Sequence, residues 1–297
     1  MATKVNPFTG ALDYYEQSQA LPAFRNKLIN GNFDIWQRGT SQTSSGYGSV
    51  DRWSCGHGTS SKTASQQSFV NGQTDVPNNP KYYLRHVVTS SSGGYVVLSQ
   101  NIESVETLAG KAVTLSFWAR TTDSNKNIAS GIIRYYGSGG STSGQDDGIG
   151  VTTHTLTTSW QKFTVTTTIP SMSGKSIGTD NNDFLGLEFW FDAGSSLNSR
   201  TNSLGNQSGT FDIAQVQLEE GSSATSFEQR PIGLEMSLCQ RYFQIKNLFQ
   251  SNTTHHANGQ YGGNSNHSHY NLQTTMRSAP TVTISQPTQV QTYHQNG

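Results

Sequence analysis

The chain has 297 residues, no net charge at neutral pH and two cysteines. Its 19 basic and 19 acidic residues are spread along the sequence, which excludes the basic footprint of a nucleic-acid-binding protein. With 32% hydrophobic and 13% charged residues, it is too polar for a large α/β enzyme core, and it is too rich in aromatic residues for a disordered chain. The composition is typical of an extracellular all-β protein.

Cys55 and Cys239 are far apart and fall in regions of different predicted structure, which favours two free thiols over a disulfide. The N-terminal residues lack the apolar segment of a signal peptide, and no apolar run is long enough for a transmembrane helix. We therefore expect a protein that is made in the cytoplasm, carries no export signal and does not insert into a membrane.

Residues 1–25 contain Pro7, Gly10 and Pro22 and show no sustained hydrophobic periodicity. This pattern predicts an extended arm with at most one helical turn. Such an arm either docks onto another protein and becomes ordered on binding, or packs loosely along its own domain.

Residues 26–231 have the pattern of an all-β jelly-roll β-sandwich. Short alternating segments recur every 8 to 15 residues or so, at about the spacing of strands in such folds, and turn residues separate them. Residues 28–35 are expected to open the sandwich, and Trp53 is interpreted as a buried corner rather than a site. Further strands are predicted at 65–70, 82–89, 95–100, 113–120, 128–136, 151–169 (two strands) and 184–192.

The strand at 113–120 alternates cleanly, and 128–136 is predicted to be its hairpin partner. Residues 137–150 follow as an exposed loop rich in glycine and serine. Because Asp146 and Asp147 lie in this loop, they are poor candidates for a positioned acid–base pair. The sequence also lacks the G-x-S-x-G and P-loop motifs. We therefore predict that the chain is not an enzyme.

The segment 209–231 is predicted to be the closing strand of the sandwich, followed by an exit loop. Phe211 and Ile213 share one face of this strand, whereas Val216 and Leu218 share the other. Either both faces are covered, or a β-bulge between the two pairs brings all four residues to one face. We favour the bulge.

Residues 232–297 are predicted to form a short linker helix and a partial C-terminal β region. This region would complete its sheet with copies of itself, which favours a homotrimer. His255, His256, His267 and His269 cluster in one glycine-rich loop. They either form a metal site along a trimer axis or belong to a hydrated polar loop.

Five segments, taken in order, carry a resemblance to a known family. They are residues 28–39, 51–54, 110–120, 159–165 and 211–221. Together they resemble the carbohydrate-binding-module-like domain of bacteriophage tail-fibre and related virion proteins, over roughly residues 26–242. The resemblance implies the β-sandwich fold and a place in a virion.

In that setting we predict a fibre or adhesin subunit, whose ligand the resemblance does not specify. Its arm would attach to other virion proteins of the tail or capsid, and its sandwich would contact host-surface glycans. A purely structural connector or decoration protein is the alternative. In the resembling modules a structural Ca²⁺ often ties the opening strand to the closing one, and the matching acids here are Asp34 and Asp212. A salt bridge to arginine or a turn hydrogen bond is the alternative role for these acids.

A glycan site needs aromatic rings beside charged or amide groups, because sugars stack their apolar faces on rings and hydrogen-bond through their hydroxyls. Trp118 with Arg120, and Trp190 with Glu188 and Asp192, lie on strand faces opposite the apolar core. If the two strands are neighbours, these residues form one carbohydrate-binding face. The alternative is that a loop, a helix or another subunit covers the tryptophan rings.

Overall fold

The computed structural model describes residues 2–5, 12–15, 21–245 and 272–283. Their regular structure is almost entirely β. The strands are β1 (Ala2–Val5), β2 (Leu12–Tyr15), β3 (Ser41–Gln42), β4 (Ser54–His57), β5 (Ser61–Ser68), β6 (Tyr82–Thr89), β7 (Tyr95–Glu103), β8 (Ala112–Thr121), β9 (Lys126–Tyr135), β10 (Asp146–Leu156), β11 (Gln161–Thr168), β12 (Phe184–Ala193) and β13 (Gly209–Glu220). The helices are α1 (Asn198–Thr201) and α2 (Ile232–Gln240).

Strands β3 to β13 form two antiparallel sheets that pack face to face. The five-stranded sheet has the order β10-β9-β12-β7-β4, and the six-stranded sheet has the order β11-β8-β13-β6-β5-β3. Their inward faces share one apolar core, which includes Leu98, Phe117, Phe189 and Phe191. Most neighbouring strands are distant in the sequence, as in a jelly roll. The predicted all-β sandwich is confirmed.

The closing strand β13 lies inside the six-stranded sheet, between β8 and β6. Its register with β8 shifts between Ala214 and Gln217, and Gln215 adopts a left-handed φ of 47°. This is the predicted β-bulge. As a result, the apolar residues on both sides of the bulge face the same core.

The opening segment reaches this core without forming a strand. Phe33 is fully buried with a left-handed φ of 56°, and its ring centroid lies 5.4 Å from that of Trp53. The Asn30 side chain accepts a hydrogen bond from the Ile35 N–H (3.0 Å) and donates one to the Ile35 carbonyl (2.9 Å). Because this amide takes the place of a neighbouring strand, the predicted strand at 28–35 is wrong. Trp53 is the buried corner that was predicted.

The predicted hairpin between 113–120 and 128–136 is also wrong. β8 lies in the six-stranded sheet and β9 in the five-stranded sheet, so the turn at 122–125 carries the chain across the sandwich. Alternation indicates which residues face the core but not which sheet a strand joins. The loop predicted at 137–150 is shorter than expected, because β10 begins at Asp146.

The terminal regions add smaller elements to the sandwich. β1 and β2 pair antiparallel, so the predicted arm contains a two-stranded ribbon. α2 confirms the predicted linker helix, whereas 241–245 and 272–283 contain no strand and the four histidines lie outside the described residues. Cys55 and Cys239 are buried free thiols, as predicted. Within the described residues, no helix combines the length and apolarity that crossing a bilayer demands.

Candidate functional site

The two tryptophan-bearing strands are not neighbours. Trp118 and Arg120 lie on β8 in the six-stranded sheet, whereas Glu188, Trp190 and Asp192 lie on β12 in the five-stranded sheet. Both groups face away from the core, so they lie on opposite outer faces of the sandwich. The expectation of one face that contains all five residues is therefore wrong, because the chain crosses between sheets after β8.

The face of β12 is covered by the chain itself. Trp190 is only 4% exposed, and it packs against residues that include Leu197 and Leu204 from the segment before β13. Arg200 from the same segment donates to Glu188 at 2.8 Å and lies 5.4 Å from the Trp190 ring centroid. This packing is the predicted alternative for Trp190, and it leaves little of the ring for a ligand.

Asp192 has a structural role beside this cover. Its carboxylate accepts hydrogen bonds from the hydroxyls of Ser60 (2.5 Å) and Ser90 (2.8 Å) and from the backbone N–H of Gln207 (2.8 Å). The side chain is fully buried. These bonds satisfy a buried charge and tie three loops together, so Asp192 is not available to a ligand.

The outer face of the six-stranded sheet is different, because charged side chains reach solvent there. Arg85, Asp212 and Arg120 lie side by side on β6, β13 and β8, and we call them the arginine row. Arg85 Nε lies 2.7 Å and Arg120 Nε 2.9 Å from different oxygens of Asp212. Hydrogen bonding to Asp212 raises the pKa of Arg85, so this guanidinium group stays charged.

Aromatic rings surround the arginine row. We call Phe69, Tyr83, Trp118 and Trp160 the aromatic cluster. The Tyr83 ring lies 4.8 Å from Phe69 and 5.2 Å from Trp160, and Phe69 lies 5.2 Å from Trp160, all between centroids. Tyr83 and Trp160 are nearly buried, whereas Phe69 and Trp118 are partly exposed. The cluster therefore has two rings packed against the sheet and two rings that solvent can reach at its edge.

The β-register explains how this group assembles. Trp118 pairs with Ala214 on one side and with Lys162 on the other, so a small residue and a long cation flank its ring. The Arg120 guanidinium lies 4.9 Å from the Trp160 centroid, which is within the range of a cation–π contact. The result is a ring edge next to hydrogen-bond donors, which is the arrangement that sugar binding needs.

The two proposed calcium ligands have different surroundings. Asp212 is buried between two guanidinium groups, whose positive charges would repel Ca²⁺. Asp34 lines a polar cavity of about 150 Å³, whose other charged lining residues are Glu228, Arg230 and Glu235. Burial raises the pKa of Asp34 although Asn32 donates to its carboxylate. Among the described residues, no group of three or more His, Cys, Asp or Glu is arranged to hold a metal. The salt-bridge alternative holds for Asp212.

Asp146, expected in a loose loop, is instead fixed at the start of β10. Its carboxylate accepts hydrogen bonds from Arg134, Tyr136 (2.7 Å) and Lys175 (2.8 Å). Partial burial would raise its pKa, but these donors outweigh burial and lower the pKa of Asp146 to about 2. A carboxylate that stays ionised at all ordinary pH values cannot serve as a general acid.

Several members of this site were missed in the sequence. Arg85 and Tyr83 alternate with the core residue Leu84 on β6, so strand parity alone could have placed both on the outer face. Their position beside Asp212 depends on which strands pair, and parity does not specify this. Trp160 directly precedes β11 and lies outside any strand, where no periodicity applies.

Comparisons with known proteins gave matches among solved structures only. Neither the protein-family models nor the curated proteins that were compared match this sequence. The chain is similar to the enzymatically active domain of tailspike protein 4 of bacteriophage CBA120, at 13% identity and a TM-score of 0.40; the match covers 66% of this chain and only 22% of the tailspike chain.

Two carbohydrate-binding modules also match. A family 4 module is 16% identical, with 65% of this chain and 98% of the module covered and a TM-score of 0.35. A family 11 module from Clostridium thermocellum, solved with a mixed-linked β-1,3-1,4 tetrasaccharide, is 16% identical, with 62% and 98% covered and a TM-score of 0.37.

Proposed function

We propose that this chain is a non-enzymatic subunit of a bacteriophage fibre or adhesin, which binds host-surface glycans through the outer face of its six-stranded sheet. The observation that carries the proposal is the partly exposed Trp118, which lies on the same outer face as the arginine row and packs in the cluster whose Trp160 ring is 4.9 Å from the Arg120 guanidinium. Of the five residues first considered for this role, Trp118 and Arg120 remain candidates. Glu188, Trp190 and Asp192 are buried in the opposite face.

The chemistry of the site suits a sugar ring. The apolar face of a pyranose would stack on the exposed part of Trp118, and its hydroxyls would accept hydrogen bonds from the nearby guanidinium groups. Asp212 and the ring of Trp160 hold Arg120 in place before a ligand arrives. A preorganised donor loses little conformational entropy on binding, which favours affinity.

The five sequence segments that resemble phage tail-fibre domains support the assignment to a virion. In this proposal residues 1–25 attach the subunit to other tail or capsid proteins, and the assembled fibre is a homotrimer. Several copies of a weak glycan site would then act together, because binding of one copy raises the effective concentration of the others.

A structural role is the second candidate, and one observation favours it. Tyr83 and Trp160 are only 7% and 9% exposed, so much of the aromatic cluster is packed as a small core of its own. A connector or decoration protein would need this packing to stabilise the outer face and would need no ligand. The two candidates differ in whether the exposed edge at Trp118 contacts a sugar.

Glycan binding by the purified protein tests the proposal. We expect the protein to bind members of an array of bacterial surface polysaccharides. We expect Trp118→Ala to weaken this binding at least about tenfold, since stacking on an aromatic side chain contributes substantially to a small interface. Tyr47→Ala is the matched control, because Tyr47 is an exposed aromatic outside the cluster (45%). Thermal unfolding of each variant establishes that it is folded.

Two results would count against the adhesin role. One is the absence of binding to every polysaccharide on the array by the wild-type protein. The other is equal binding by the wild-type protein and the folded Trp118→Ala variant, which would move the site elsewhere. Copurification with virion proteins in the absence of any glycan binding would support the structural role instead.

A further inference from the structure

The arginine row carries more positive than negative charge. Asp212 is the one carboxylate that it contains, and it is fully buried between two guanidinium groups. The side chains of Arg85 and Arg120 are 24% and 28% exposed, so the excess charge reaches solvent. Lys162 is an exposed lysine next to Trp118, and in the described part of the chain it has no salt-bridge partner. The accessible edge of the aromatic cluster is therefore cationic.

Both arginines keep donors for a ligand. Arg85 uses Nε and Nη2 on the two oxygens of Asp212, at 2.7 and 2.9 Å. Arg120 uses Nε on Asp212 and Nη2 on the Tyr83 hydroxyl, at 2.9 and 3.3 Å. Within the described residues, the Nη1 group of neither arginine has a protein acceptor, and neither is among the buried unsatisfied atoms. These two groups therefore face solvent while the rest of each guanidinium is held.

We propose that this site selects acidic glycans, namely polysaccharides whose repeat contains a hexuronic acid. The inference rests on the proposed function, because it names the sugar class for the same surface. A hexuronic acid offers an apolar ring face to Trp118 and a carboxylate to the guanidinium groups. Charge-assisted hydrogen bonds between arginine and carboxylate are stronger than those to neutral hydroxyls.

The charge balance favours an acid over a neutral sugar. A neutral sugar would displace water from the arginine row without supplying a counter-ion for the excess charge. A carboxylate would supply it and would bring the row close to neutrality. Because the site is only partly exposed, salt would screen this attraction less than it screens an ordinary surface pair.

The test compares each polysaccharide with a form that differs only in charge. Hexuronate-containing bacterial capsular polysaccharides are measured by isothermal titration calorimetry before and after chemical reduction of their carboxyl groups to primary alcohols. We expect binding of the reduced forms to be at least about tenfold weaker, because a charge-assisted bond becomes a neutral one. Affinity for the acidic forms should fall as NaCl is raised.

Variants locate the effect in the site. Arg120→Gln should weaken binding of the acidic form at least about tenfold, and Arg120→Lys should restore part of it, because lysine keeps the charge but not the planar donor pair. Should Arg120→Gln fail to fold, Lys162→Gln on the exposed edge should still weaken binding of the acidic polysaccharide about two- to fivefold. Lys111→Gln removes an exposed lysine elsewhere and serves as the matched control.

The outcomes separate this inference from the function it rests on. Equal affinity for the acidic and reduced forms would overturn the selectivity and leave glycan binding intact. Equal binding of sulfated polysaccharides that lack carboxylates would show general anion attraction and would also overturn it. Failure of the wild-type protein to bind any polysaccharide in either form would instead overturn the proposed function itself.

Discussion

His86 is a buried titratable residue that the proposed site does not use. It is 1% exposed, and its ring is stacked on Phe191 with centroids 4.5 Å apart. Its Nε2 atom has no hydrogen-bond partner in the described part of the structure. Burial, with a smaller contribution from the nearby Lys62, lowers the pKa of His86 to about 3. The folded protein therefore holds this imidazole neutral.

This residue should make the free energy of unfolding depend on pH. The folded pKa lies below the unfolded value of about 6.5, so the unfolded chain takes up a proton first as the pH falls. His86 thus contributes its full stabilisation above about pH 7. By about pH 4.5 some 2 to 3 kcal/mol of it should be lost, at about 1.4 kcal/mol per pH unit.

His86→Phe, which keeps a stacked ring but cannot titrate, should flatten the dependence in urea unfolding between about pH 7 and about pH 4.5. Part of the slope should remain, because burial also lowers the pKa of His154, to about 4. The His86 ring resonance in NMR spectra should show no titration in this interval. A variant whose slope matches the wild-type slope would contradict the assignment.

At the scale of elements, the opening segment is joined to the closing strand by direct backbone contact. Val216 N–H donates to the Gly31 carbonyl, and Lys27 N–H donates to the Leu218 carbonyl, both at 2.8 Å. A β-carbon at Gly31 would overlap the carbonyl oxygen of Val216. This position therefore requires glycine because of close approach, and its φ is not in the left-handed region.

Gly31→Ala should therefore separate the opening segment from β13. We expect a loss of at least about 2 kcal/mol in the free energy of unfolding, since neither backbone can move without breaking the pairing. Gly233→Ala is the matched control: it lies in α2 with no heavy atom close to the added carbon, and it should gain about 0.5 to 1 kcal/mol. Equal changes in the free energy of unfolding for the two variants, measured in urea, would contradict the claim that close backbone approach requires glycine at position 31.

Hydrophobic alternation in the sequence specifies the strands of this fold better than it specifies how the strands are arranged. Alternation assigned most strands and their core faces, and the change of parity in β13 identified the bulge at Gln215. The same alternation could not show that β8 and β9 belong to different sheets, because either arrangement buries the same apolar residues. For this reason the sequence could place Trp118 and Trp190 on outer faces of the sandwich, but it could not show that these two faces are opposite each other. The partnership of Arg85 with Asp212 depends on strand order, which requires the fold.

At the scale of the whole molecule, one carboxylate makes most of the polar contacts that join the described part of the C-terminal segment to the sandwich. Glu103, at the end of β7, accepts hydrogen bonds from Arg241 at 2.8 and 3.0 Å and from the Tyr242 hydroxyl. Arg277 Nε lies 3.9 Å from the same carboxylate, and its backbone N–H donates to the Arg241 carbonyl at 2.9 Å. Glu103 thus connects the sandwich to both 241–245 and 272–283.

Two arginines of the sandwich strengthen this junction through aromatic rings. Arg52 lies 3.4 Å from the centroid of Tyr242, and Arg38 lies 3.4 Å from the centroid of Phe243. Both arginines belong to the opening part of the sandwich, which contacts β13 as well. The junction therefore joins the opening segment, the end of β7 and the residues after α2 in one place.

Glu103→Gln should loosen this junction while leaving the sandwich folded. Hydrogen bonds from Arg241 are the largest of the effects that lower the pKa of Glu103, to about 2, so the charged form is the one that holds the segment. Its side chain is 36% exposed, and solvent screening should limit the loss in global stability to about 1 kcal/mol. Amide hydrogen exchange in 241–245 and 272–283 should become faster, whereas exchange in β8 and β13 should not change. Glu106→Gln, at an exposed glutamate three residues away, is the control and should change neither the global stability nor the exchange rates. Unaltered exchange in the Glu103→Gln variant would instead show that the aromatic contacts alone suffice to hold the segment.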